Sequence, residues 1–215
     1  NTVRIPTTWY EHIQQNSDGF WEISPDWMAY VKKTVDFAYN NDMYVIVNMH
    51  HDDQLWLNIS VDDTEWAEVQ EKYTQLWQQI GTAFKDYDEH LILEGANEVT
   101  ATCKFDGCSS STGKCWWGHS TDVFARMRTL NKVFIDTVRA TGGNNDVRYL
   151  MVPSYGAQFY SNQINKVYLP ENDNHIIMDI HWYTTTRTAS DLSSNFGAMK
   201  SKAVDKGYGA VFGEC

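Results

Sequence analysis

Short apolar runs alternate along this chain with longer stretches in which apolar residues recur every three or four positions. That rhythm marks repeated strand–helix units. A strand covered on both faces reads as a continuous apolar run, and the helix that covers it carries one apolar stripe. The pattern predicts strands at Thr2–Ile5, Tyr44–Asn48, Leu91–Glu94, Tyr149–Val152, Ile176–Ile180 and Gly209–Phe212. It predicts helices over 26–40, 65–86, 119–140 and 190–206, with a short one near 160–166. Local signals agree. Ser24-Pro25 places proline at a first helical turn, Asp63/Thr64 can cap the run beginning at Glu65, and Gly142-Gly143-Asn144-Asn145 reads as a stop followed by a turn.

Six such units in a single domain spanning 1–215 predict an α/β fold with a parallel sheet. Two architectures fit: a TIM (β/α)8 barrel with about six of its eight units present, and an open doubly wound sheet. No G-x-G-x-x-G or G-K-S/T loop follows any strand, so a nucleotide site has little support. In the barrel case one strand is expected before Asn1 and another after Cys215. Two sheet edges would then be open, Glu214 would sit beside a frayed end, and the piece alone would fold poorly or be inactive.

At 215 residues the chain can bury a sizeable core. Seventeen Lys and Arg against 28 Asp and Glu give a net charge of −11, which disfavours nucleic acid and anionic membrane as partners. Nine Trp and twelve Tyr are a heavy aromatic load, and several fall in loop positions, where flat rings suit uncharged sugars. Three of four cysteines, Cys103, Cys108 and Cys115, share a Ser/Gly/Thr-rich stretch, so a disulfide there, in a secreted protein, is the expectation. Zinc is the rival, without matching spacing or a nearby His. No apolar run approaches the ~18 residues of a membrane span.

Polar residues stand at the carboxyl end of each strand, the end at which a barrel of parallel strands keeps its site. Arg4 ends the first; Asn48, His50 and His51 follow the second; Asn97 and Glu98 follow the third. Ser154 and Tyr155, then His181 and Tyr183, then Glu214 complete the set. Glu98 and Glu214 can therefore meet across one pocket, and a facing carboxyl pair is the apparatus for cleaving a glycosidic bond. One member must be protonated to assist the leaving oxygen and the other ionised to attack. A carboxylate beside Arg4 is expected to stay ionised, and one against aromatics and negative charge to hold its proton. His50 and His181 would orient the pair, Tyr183 would bond the nucleophile, and Asn97 would donate to the 2-hydroxyl of the attacked sugar. A metal site on His50-His51-Asp52-Asp53 is a weaker alternative, because neighbours on a strand face opposite sides.

Val-Arg-Ile-Pro-x-x-Trp, Val-x-x-Asn-x-His-His, Leu-Ile-Leu-Glu-Gly-x-Asn-Glu, Thr-Gly-Gly-Asn-Asn, His-x-Tyr and a closing Gly-Glu occur in that order from residue 3 to residue 214. In this the chain resembles glycoside hydrolase family 5, most closely its endo-β-1,4-glucanase branch. The resemblance implies a (β/α)8 barrel, retention of anomeric configuration, and no metal or other cofactor. It implies Glu98 as acid/base and Glu214 as nucleophile, supported by Arg4, His50, Asn97, His181 and Tyr183. The expected partner is a β-glucan chain, acted on by a secreted, monomeric protein whose parent can carry binding modules. Trp9, His51, Trp56, Trp116, Trp117, Tyr155 and Trp182 are the expected sugar contacts, whereas Trp27, Trp66 and Trp77 fall in helices and read as core. Two departures stand out: Val99 follows Asn-Glu where the family usually has proline, and the family's last-strand Trp has no counterpart. Mannan, xyloglucan, xylan and mixed-linkage glucan remain alternative substrates, and a non-catalytic carbohydrate-binding protein is the rival class.

Overall fold

The computed structural model describes residues 1–60, 62–102, 114–116, 121–183 and 188–215. In chain order the elements are β1 (Thr2–Ile5), β2 (Ile13–Gln15), β3 (Trp21–Ile23), α1 (Pro25–Tyr39), β4 (Tyr44–Asn48), α2 (Asp63–Phe84), β5 (Leu91–Glu94), β6 (Ala101–Thr102) and β7 (Lys114–Cys115). They continue with α3 (Thr121–Ala140), β8 (Leu150–Gln158), α4 (Ser161–Lys166), β9 (Ile176–His181), α5 (Ala189–Lys202) and β10 (Gly209–Glu214). Among the described residues, β1-β4-β5-β8-β9-β10 form one sheet in that order, every pair parallel. No helix among them is long and apolar enough to cross a membrane.

The sheet is rolled. Flat, with strands ~4.8 Å apart, β1 and β10 would lie roughly 24 Å from each other. Arg4 on β1 nevertheless reaches Glu214 on β10 at 2.5 Å. The roll gives every strand an inner face and a helix-covered outer face. Val45, Val47, Leu91 and Leu93 face outward into the main core, while Ile46, Ile92 and Met151, with Ile177 and Val211 against them, form a separate inner layer. Two residues further along, the strand alternation sends Asn48, Glu94 and Asp179 to the same interior, now at the strand ends. The inner lining thus changes from apolar to charged within one strand repeat.

The helices supply the rest of the core. On α2, Trp66, Tyr73, Trp77, Ile80 and Phe84 are buried at helical spacing, each worth about 1.5–3 kcal/mol relative to exposure. Trp66 and Trp77 are core as expected; Trp27, half-buried on α1, stacks on His12 with ring centroids 3.7 Å apart. Ser24 accepts from the Trp27 amide and starts α1. The α2 cap is Asp62, accepting from Thr64 and Glu65, one residue before the expected Asp63/Thr64. Arg148, buried, donates to the carbonyls of Phe84, Tyr87, Asp88 and Leu91 and so satisfies the end of α2 and the entry to β5.

Three further features differ from the sequence expectation. The strand expected at 149–152 runs to Gln158, through a register shift after Pro153 and positive φ at Gly156 and Ala157. The last helix ends at Lys202 and is followed by a short 3-10 turn. Two small antiparallel ladders, β2–β3 and β6–β7, stand in the loops after β1 and β5. Strands of two or three residues are too short to leave a periodic signal.

Candidate active site

Arg4 is the hub of the inner polar layer. Its Nε and Nη2 donate to both oxygens of Glu94 at 2.7 and 2.6 Å, Nη2 also to Asn97 Oδ1 at 2.9 Å, and Nη1 to Glu214 Oε1 at 2.5 Å. Glu94 is wholly buried on β5 and accepts a further bond from Asn48 Nδ2 at 3.1 Å. Burial pushes its pKa up to about 7, against the lowering by Arg4.

Glu214 is seated by glycine chemistry. A Cβ on Gly213 would lie 2.3 Å from Asp179 Oδ1, so only glycine lets β10 pass that buried carboxylate. The ladder to β9 slips between Phe212 and Glu214 and brings Glu214 beside His181. Tyr183 donates to Glu214 Oε2, and Arg4 to Oε1. Partial burial raises the Glu214 pKa, but the hydrogen bonds from Tyr183 and Arg4 and the charges of His181 and Arg4 outweigh it, and the carboxyl lies below its ordinary value.

Glu98 meets the same centre from β5's loop. His181 Nδ1 lies 2.8 Å from Glu98 Oε1 and 3.7 Å from Glu214 Oε2, and one ligand atom from each of the three residues falls within 4.8 Å of the others. Behind the ring, His181 Nε2 is 3.3 Å from Asp179 Oδ2. Burial lowers the His181 pKa, but the bonds and charges of Asp179, Glu98 and Glu214 raise it to about 10. The ring therefore stands as an imidazolium at neutral pH, with the carboxyl groups of Asp179, Glu98 and Glu214 around it. Glu98, His181 and Glu214 are close enough to hold a cation, which would have to displace the imidazolium proton to bind the ring. His50 is the opposite case: burial and Arg4 lower it to about 4. Asn48 Nδ2, donating to His50 Nδ1 at 2.9 Å, leaves the proton on Nε2, which is 3.7 Å from Glu214 Oε1.

The sequence-derived residues thus fall into two groups. Arg4, His50, Asn97, Glu98, His181, Tyr183 and Glu214 converge on one centre. The expected sugar contacts do not all follow. Trp9 is fully buried with Nε1 donating to Asn48 O, and Tyr155 is buried with its hydroxyl between Ala101 N and Cys115 O. Neither ring presents a face to a sugar, because each closes the core beneath a strand end. Trp182 is half-buried among Phe159, Phe196 and Phe212. Trp56 gives Nε1 to Asp52 at 2.7 Å and carries the Lys72 ammonium 4.4 Å over its ring. Trp116 is half-buried near Lys114, and His51 is exposed, edge-on to His50. Trp117, Cys103 and Cys108 lie outside the described residues; Cys115 is buried in β7.

Two buried carboxylates escape the sequence reading as candidate site residues: Glu94 and Asp179. The signal was present for Asp179, a charge within the otherwise apolar run Ile176–Ile180. Asp52 and Asp53, part of the metal alternative, are spent on protein donors instead: Asp52 on Trp9 N and Trp56 Nε1, Asp53 on Glu98 N and Asn97 Nδ2.

Comparison with known proteins agrees with the fold. The chain is 35% identical over 232 residues to Endoglucanase B of Clostridium cellulovorans, covering 100% of this chain and 50% of that protein. A solved family 5 xyloglucan-specific endo-β-1,4-glucanase from a metagenomic library, in complex with cellotriose, superposes with a TM-score of 0.82 at 32% identity. The match covers 98% of this chain and 63% of that one. A family 5 lichenase from a Caldicellulosiruptor species superposes at 0.81 with 30% identity, over 99% of this chain and 61% of its own. The chain spans about half the length of the curated relatives it matches. The model of the cellulase family, glycosyl hydrolase family 5, matches residues 1–215, and the chain belongs to that family.

Proposed function

We propose that this chain carries the catalytic centre of a retaining endo-β-1,4-glucanase, with Glu214 as nucleophile and Glu98 as acid/base. The observation that carries the reading is the approach of Glu98 and Glu214 to within 4.8 Å around His181. Retaining hydrolases hold their carboxyl pair ~5–5.5 Å apart, whereas inverting ones leave roughly 6.5–9.5 Å for a water. The surroundings of Glu214 support its role: Arg4 and Tyr183 donate to its two oxygens and keep it ionised for attack.

In this mechanism Glu214 attacks the anomeric carbon as Glu98 protonates the departing glycosidic oxygen. A glycosyl ester forms on Glu214. Glu98, now ionised, then takes a proton from water as that water attacks the same carbon and frees Glu214. Asn97 Oδ1 is held by Arg4 and one Nδ2 proton points to Asp53, which leaves the second for the sugar's 2-hydroxyl. A β-glucan found outside cells is the fitting substrate. The relatives named xyloglucan-specific glucanase and lichenase mark the near alternatives within the same chemistry. Glu98→Gln and Glu214→Gln, each in the intact protein, should lower kcat on soluble cello-oligosaccharides by several orders of magnitude with folding retained. The wild-type product should be the β-anomer by proton NMR. An α-anomer, or wild-type turnover in either variant, would refute the roles. Sugar release from a panel of glucans, xyloglucan, mannan and xylan identifies the substrate.

A further inference from the structure

We propose that Asp53 is the positioning residue for Glu98, and that it acts by anchoring the acid/base main chain together with Asn97. This rests on the reading of Glu98 as acid/base. Asp53 lies on the short 3-10 turn after β4 and is wholly buried. Its Oδ2 accepts from the Glu98 amide at 2.7 Å and from Asn97 Nδ2 at 3.3 Å. Its Oδ1 lies 3.5 Å from Lys114 Nζ on β7. One carboxylate therefore ties together the loop after β4, the loop after β5 and the β6–β7 ladder, with its bonds ending on two residues of the reacting centre.

Val99 adds to the part such an anchor can play. A following proline would bias residue 98 toward extended backbone. With valine there, that restriction is absent, and the amide of Glu98 is held from outside by Asp53. The side chain is held at its other end by His181 at 2.8 Å. Glu98 is thus fixed at its amide and at its carboxyl. Losing the first fixture leaves His181 to orient a carboxyl on a looser backbone, and general-acid catalysis falls steeply with misplacement of the donor.

The test exploits leaving-group chemistry in the intact protein. A dinitrophenyl β-cellobioside departs without a proton; a cello-oligosaccharide does not. Asp53→Ala should lower kcat/KM on the oligosaccharide by about 10²-fold, the lower end of general-acid contributions, and on the dinitrophenyl glycoside by less than about fivefold. Where circular dichroism shows that Asp53→Ala is unfolded, Asp53→Asn serves. It keeps the shape and one oxygen for the Glu98 amide but faces Lys114 with a donor, and a loss of about tenfold with the same leaving-group bias is expected. Equal losses on both substrates, or no loss on either, overturn the positioning role. Glu98→Gln measured alongside separates the two levels. If it lacks the bias, the acid assignment itself fails; if it shows the bias and the Asp53 variants do not, the inference alone fails.

Discussion

Replacing Arg4 by Met tests whether one guanidinium holds the charged layer at the strand ends. Methionine keeps an apolar stem of similar reach and removes every donor. Glu94 loses bonds of 2.7 and 2.6 Å, Asn97 one of 2.9 Å and Glu214 one of 2.5 Å; Glu94, wholly buried, retains Asn48 at 3.1 Å. At fixed ionisation, stranding one partner of such a buried pair costs about 3–5 kcal/mol. Proton uptake limits that cost. Burial already holds Glu94 up to about 7 against the lowering by Arg4, and without Arg4 it rises further. A carboxyl raised in the folded state contributes stability that is intact below its unfolded value and is lost as pH climbs to the folded one. Wild type and variant therefore lose stability in parallel until the pH nears 7, where wild-type Glu94 is half ionised and its loss begins to level off. Above that the variant continues to lose, by up to about 1.4 kcal/mol per pH unit, toward the ceiling set by the broken pair. Urea denaturation of the intact proteins at pH 5 to 9, followed by tryptophan fluorescence, reads this directly. A stability difference equal at pH 6 and pH 9, or below about 0.5 kcal/mol at pH 9, would refute the reasoning.

Tyr183→Phe removes a donor to Glu214 without altering the ring. Since that bond helps keep the Glu214 carboxyl below its ordinary value, the acidic limb of kcat/KM should move to higher pH, and an unmoved limb would show that Arg4 suffices. Gly95→Ala would place a Cβ 2.8 Å from Phe134 Cδ1 and 3.0 Å from Tyr73 Oη. It should destabilise by about 1–3 kcal/mol, as overpacking does, and lower activity by shifting Asn97 and Glu98; an unchanged melting temperature would contradict the packing described.

The sequence was most legible where one periodicity ruled. Every strand of the six-stranded sheet lies within two residues of its expected start, and four of the five expected helices are of several turns, because an apolar stripe that recurs at 3.6 residues is a strong local signal. Glu98 and Glu214 were legible because strand ends of a parallel barrel share one face. Trp9 and Tyr155 misled for the same local reason that made them attractive. An aromatic just past a strand can point to the mouth or fold back beneath it, and nothing in its neighbours' identity says which.

The chain by itself determined which residues carry charge to the strand ends, since alternation along each strand is a local property. The three-dimensional arrangement alone decided which of those charges are neighbours. Arg4 and Glu214 stand at opposite margins of a six-stranded sheet, and only its roll converts that distance into a 2.5 Å ion pair. Asp53 and Asp179 gained their partners in the same way. A buried carboxylate takes its role from the donors that surround it, and those donors come from loops and strands remote in sequence.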